Sequence, residues 1–151
     1  MRRRAWMVVT LLGAVASAGA VIASDSPRPE QLYLAMEIER EGAVVARPML
    51  VGETDRELRM SLIDPSRPDR PRLSVDLLPH GEGKAYRVSI RVSTPERATP
   101  ASGELAICHG EQRSVVLSEA SQPLTVRLML MRVDSPEFRA LMRLGRAMRM
   151  S

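Results

Sequence analysis

The stretch LTVRLMLM, residues 124–131, sets Leu124, Val126, Leu128 and Leu130 against Thr125, Arg127, Met129 and Met131. Strict alternation over eight residues marks a half-buried β-strand, one face in a core and the other in water. The same period runs backwards through the chain. Leu32, Leu34, Met36 and Ile38 alternate with Tyr33, Ala35, Glu37 and Glu39, and Leu58, Met60 and Leu62 with Arg59 and Ser61. Leu73, Val75 and Leu77 follow, then Tyr86, Val88, Ile90 and Val92 against Arg87, Ser89 and Arg91. Leu105 with Ile107, and Val115 with Leu117, are shorter runs of the same kind.

Residues 43–51 are more uniformly apolar, and Pro48 interrupts them, which predicts an edge strand or two short pieces around a bulge. The sum is about eight strands with short connections, and short connections favour antiparallel pairing. The expected fold is mainly β: an antiparallel β-sandwich or open barrel over residues 31–134. Two connections are longer, residues 64–72 (DPSRPDRPR) and 93–103 (STPERATPASG). The first holds three prolines and is read as a loop outside any sheet ladder. Gly52-Glu53, Gly81-Glu82 and Gly110-Glu111 lie 29 residues apart and are read as turns, either of a repeated hairpin unit or, since the flanking strands do not align, by coincidence in a turn-rich chain.

The period changes after Asp134. Ser135-Pro136-Glu137 reads as a helix N-cap, a proline at the first helical position and an acid in the first turn. Phe138, Leu141, Met142, Gly145 and Met148 share one face, with Arg139, Arg143 and Arg146 on its neighbour, giving a basic amphipathic helix over residues 135–151. The large apolar side chains are expected to pack on the body, leaving the three arginines outward as an interaction surface for an envelope protein or an anionic membrane.

The N-terminus carries an address. Arg2, Arg3 and Arg4 precede an uncharged run from Ala5 to Ala23 with Ala-x-Ala sites at residues 16–18 and 18–20, and then Asp25 to Pro29 break any helix. This order predicts a signal peptide over residues 1–24, a linker over 25–30 and a periplasmic or secreted mature protein. The alternative is an uncleaved anchor, since the 19-residue run is just long enough to span a bilayer, and it too leaves the domain facing outward. No cysteine stands near the cleavage sites for lipid attachment.

Removing the signal changes the charge argument. The whole chain is +4, but three of the 22 basic residues lie in the signal and all 18 acidic residues lie after it, so the remainder is +1. The high pI is therefore no nucleic-acid footprint. Beyond the signal the aromatics are Tyr33, Tyr86 and Phe138, too few for sugar-stacking or single-stranded nucleic-acid platforms.

The candidate metal ligands are His80, Cys108 and His109, with Glu82 and Glu111 close in sequence and the pairs Met129-x-Met131 and Met148-x-Met150 as thioethers suited to copper(I). They would form a site if the two His-Gly-Glu segments met at one end of the sandwich. Each also has an ordinary reading, as a solvated turn histidine, a small strand cysteine or a gap-filling methionine. No nucleophile elbow, zinc-protease helix or phosphate loop is present, so no catalytic residue and no cofactor is assigned.

Residues 41–62 (EGAVVARPMLVGETDRELRMSL) resemble, through Val45, Ala46, Arg47, Pro48, Leu50 and Gly52, small periplasmic β-domains appended to bacterial sensor metallopeptidases and outer-membrane energy transducers. Those domains follow the glycine with an alanine–isoleucine strand, where this chain has Leu58-Arg59-Met60. The resemblance implies an accessory or interaction domain and transfers no catalytic residue. The expected function is that of an exported, non-catalytic binding module of the envelope. The second reading is a periplasmic copper- or zinc-binding protein, and the third a minor envelope enzyme.

Overall fold

A computed structural model describes residues 28–117 and 123–149. The expected signal peptide, residues 25–27 of its linker, residues 118–122 and the last two residues of the expected helix, 150–151, lie outside this range. In chain order the elements are β1 (Gln31–Arg40), β2 (Ala43–Ala46), β3 (Met49–Glu53), β4 (Leu58–Asp64), β5 (Arg67–Glu82), β6 (Ala85–Ser93), β7 (Ala101–Cys108), β8 (Gln112–Leu117), β9 (Leu124–Arg132) and α1 (Pro136–Arg149). Two antiparallel sheets form. One has the order β2-β1-β9-β8 with β3 also on β1, and the other the order β4-β5-β6-β7. The fold is sandwich-like and not a closed barrel, with nine strands where the sequence reading counted about eight.

The additional strand comes from the proline. β2 pairs with Ile38–Arg40 of β1, and β3 pairs with Gln31–Ala35, so Arg47-Pro48 breaks one edge strand into two. Across the break the Met36 N–H donates to the Pro48 carbonyl at 2.9 Å, so β1 loses no partner there. The β1–β2 turn places Glu41 at φ 52° and Gly42 at φ 77°, two successive left-handed residues that match the twist of a tight hairpin.

Alternating side chains meet between the sheets. Leu32, Leu34 and Ile38 of β1 and Leu124, Val126, Leu128 and Leu130 of β9 face Val75 and Leu77 of β5 and Val88 and Ile90 of β6, all fully buried. Tyr86 joins the two layers: its hydroxyl donates to the Glu30 carboxylate, while the Glu30 N–H donates to the Thr54 hydroxyl and the Thr54 N–H to the Glu30 carbonyl, each at 3.0 Å. Burial, and then the hydrogen bond to Glu30, push the Tyr86 hydroxyl well above the usual tyrosine range.

Residues 64–72 correct the sequence reading. They are not a loop, because β5 begins at Arg67, with Asp64 opposite Arg67 and Ile63 opposite Pro71 through shifted register. β6 joins β5 only from Ser74 onward, so the side of β5 away from β4 is unpaired over residues 67–73. Prolines there remove no ladder bond, which is why the sheet tolerates them. The Gly-Glu spacing has no structural counterpart either. Gly52 and Gly81 lie within strands, and only Gly110 occupies a turn, at φ 79°.

Candidate functional site

The outer face of the five-stranded sheet is divided in two. At one end Glu37 of β1 accepts from Arg47 at 2.8 Å and from Arg127 of β9 at 2.9 Å, and Arg127 reaches Glu39 at 3.7 Å. The Arg47 hydrogen bond is the main reason that the Glu37 carboxyl lies below its ordinary pKa. At the other end the same outward phase is apolar. Tyr33 stands opposite Val51 and Met131, and Ala35 opposite Met49 and Met129. The Tyr33 hydroxyl donates to the Met49 sulfur at 3.1 Å.

Helix α1 overhangs this apolar end. Its start is well held: the Ser135 hydroxyl accepts from the Phe138 N–H at 3.2 Å and donates to the Arg132 carbonyl at 2.6 Å, the expected N-cap. His109 adds a second tie. Its Nδ1 accepts from the Arg132 N–H at 3.0 Å, which puts the ring hydrogen of the neutral form on Nε2, 3.3 Å from the Glu137 carboxylate. The backbone amide at Glu137, and then His109, hold the Glu137 carboxyl below its ordinary pKa. Phe138 rests on Tyr33 with ring centroids 5.2 Å apart, a tilted aromatic pair.

Beyond Phe138 the helix stands off the sheet, and none of its residues is buried. The expectation that its apolar face packs on the body is corrected: only the first turns make contact. The remaining turns form one wall of a groove of about 610 Å³, with Leu141, Met142, Leu144, Gly145 and Met148 facing Tyr33, Met49, Leu50, Val51 and Met129. Met148 is 78% exposed, Met49 64%, and Val51 and Leu144 59% each. The groove thus gathers most of the large exposed hydrophobic side chains of the described residues, the arrangement expected of a binding surface.

Its charged rim belongs to the helix. Arg146 and Arg149 line the groove, and Arg139 and Arg143 continue the row along the flank past Phe138 and Met142. These four arginines make no ion pair among the described residues, whereas Arg40, Arg47, Arg56, Arg59, Arg87, Arg113 and Arg127 on the strands and turns each have a carboxylate partner. The interaction residues expected from sequence, Arg139, Arg143 and Arg146, are all exposed there, and Arg149 is an addition.

The metal candidates are placed apart. His80, on the outer side of β5, pairs through Nδ1 with the Asp55 carboxylate. Arg87 of β6 lies opposite His80, and Ala106 of β7 opposite Arg87, so two strand spacings, about 10 Å, separate His80 from β7 and Cys108. Cys108 is a half-buried free thiol, and its N–H donates to the Glu111 carboxylate at 2.9 Å. The two His-Gly-Glu segments do lie at one end of the four-stranded sheet, but their histidines are held by different carboxylates. Among the described residues no three His, Cys, Asp or Glu side chains come together.

The outer face of the four-stranded sheet offers a shallow trough of about 660 Å³ across Asp76, Ser89, Arg91 and Glu104. Its carboxylates are engaged within the sheet: Arg59 binds Asp76 at 2.8 Å, and Arg87 binds Glu104 at 3.3 Å and Glu82 at 2.8 Å. A face whose carboxylates are already paired has less to offer a ligand than the apolar groove. No helix among the described residues is long and apolar enough to cross a membrane. Comparison with known proteins finds no family model, no curated protein and no solved structure that matches this chain.

Proposed function

We propose that this chain is an exported, non-catalytic binding module of the cell envelope, and that the groove between α1 and the outer face of β1, β3 and β9 is its binding surface. One observation carries the reading. An amphipathic helix anchored by a cap, a histidine and an aromatic pair nevertheless buries none of its residues, and it faces an apolar sheet surface across open space. Burying a large apolar side chain is worth about 1.5–3 kcal/mol, so Leu144, Met148, Met49 and Val51 together represent a substantial unspent driving force for association. Export is supported by the order of Arg2–Arg4, the uncharged run and the Ala-x-Ala sites. The likeness of residues 45–52 to periplasmic accessory β-domains points the same way.

The test is carried out in the producing cell. A photo-crosslinking residue at Leu144 should yield an adduct, with protein or lipid, whereas the same residue at Ser61 on the opposite sheet should not. Mature protein from the same cells should begin between Gly19 and Ser26 by mass spectrometry. Equal labelling from both positions, or an intact Met1 on cytoplasmic protein, would refute the reading.

A further inference from the structure

The groove has two chemistries in one place, and together they restrict what can occupy it. The floor and walls are methionine, leucine, valine and the Tyr33 ring, a lining suited to a flexible hydrocarbon. The rim carries Arg146 and Arg149, with Arg139 and Arg143 beyond them, all without carboxylate partners among the described residues. An occupant must therefore be apolar along most of its length and anionic at one end or flank.

The shape narrows this further. A flat bilayer could reach the rim residues Met148, Leu144 and Met49 but not Leu141 and Met129, which are half-buried on the inner walls. A second copy that inserted its own α1 would bring the same arginine row to the groove, which like charges disfavour. One slender chain reaches the floor and avoids both problems. The lining turns of α1, from Leu141 to Arg149, run for about 12 Å, and a groove of about 610 Å³ falls within the range of small-molecule sites.

Building on the binding role assigned above, we propose that the groove takes up single molecules of an anionic amphiphile. The acyl chain lies between α1 and the apolar end of the β1–β3–β9 face, and the carboxylate or phosphate head is held by Arg146 and Arg149. The arginines are suited to this head because a guanidinium offers paired N–H donors in the plane of an oxyanion. The chain is then acting on monomeric amphiphile in solution and not on a membrane surface.

The experiment is calorimetric titration of the mature full chain with laurate below its micelle concentration, alongside dodecyltrimethylammonium as a probe with the same tail and the opposite charge. Laurate should bind with one-to-one stoichiometry and at least tenfold more tightly than the cationic probe. Arg146→Gln with Arg149→Gln should weaken laurate about tenfold, as should Leu144→Asp, with melting temperatures unchanged because these side chains are exposed. Arg113→Gln, on β8, should leave binding as it is. Absence of saturable laurate binding, equal affinity for the two probes, or indifference to the arginine variants would each overturn the proposal. Binding to phosphatidylglycerol vesicles without binding of monomeric laurate would replace it with a bilayer-docking surface, and a groove closed by self-association in sedimentation would replace it with a homodimer. In both of these cases crosslinking from Leu144 would persist and the binding role of the groove would stand. Loss of crosslinking from Leu144 as well would remove that role too.

Discussion

Gly52 illustrates how one position can be decided by a neighbour distant in kind but near in space. It sits on β3 with its missing side chain directed inward, and a Cβ there would come within 2.0–2.7 Å of the outer carbons of Leu58. Leu58 packs against the core at the start of β4, so it cannot simply swing into solvent. Gly52→Ala should therefore destabilise the protein by about 1–3 kcal/mol, the usual cost of forcing volume into packed space. Urea unfolding would measure it, and the double variant Gly52→Ala, Leu58→Ala should recover part of the loss. The sequence marked Gly52 through its family resemblance and its spacing from other Gly-Glu pairs. Neither marks the role the structure assigns it, because close approach between β3 and β4 is a relation between two sheets.

At the scale of elements, the helix and the ninth strand separate what periodicity reveals from what it leaves open. Ser135, Pro136 and Glu137 announced the start of α1, and its caps form as their chemistry requires. The 3.6-residue period showed which side chains share a face but not what that face touches. Helical periodicity is local, whereas docking depends on how far Phe138 and Tyr33 hold the helix from the sheet. A chain truncated after Asp134 should remain soluble and folded. Losing the Tyr33–Phe138 pair costs about 1 kcal/mol, a fall of roughly 4–8 °C in melting temperature. Circular dichroism would show the sheet signal retained and the helical component gone; an insoluble product would mean that the helix serves the core. The apolar wall opposite was legible in part. Tyr33, Ala35, Met129 and Met131 are apolar residues on the polar phase of their strands, a departure from alternation that can be read directly. Their meeting with Met49 and Val51 depends on the register of β1 with β3 and β9.

For the whole molecule, carboxylates distributed over both sheets and the helix couple stability to acid. Hydrogen bonds from Arg47 to Glu37, from Ser66 to Asp64, and from the backbone amide to Glu137 hold all three carboxyls below their ordinary values. A carboxyl with a lower pKa in the folded state favours folding at pH values above its unfolded pKa, and the benefit disappears as pH falls through the folded value. With ordinary values of 3.8 for Asp64 and 4.5 for Glu37 and Glu137, stability should be level above about pH 6 and decline below about pH 4.5. The gap between the native chain and Glu37→Gln should narrow over the same acid range, as denaturant midpoints at pH 7 and pH 3.5 would show. An equal gap at both values would mean that the Glu37 ladder contributes through packing and not through charge.

The sequence by itself determined the strand content, the inward and outward phases, the helix and its cap, because each depends on residues within a few positions of one another. Side chains alternate by covalent geometry, and a cap needs only its own first turn. Only the tertiary structure decided that Pro48 splits an edge strand without loss to β1, that Pro68 and Pro71 fall where one side of β5 is unpaired, that His80 and His109 answer to separate carboxylates, and that the helix leaves a groove above the apolar end of its sheet. Each of these is set by strand order and register between segments far apart in the chain, and register is a property of the assembled sheets that no single segment carries.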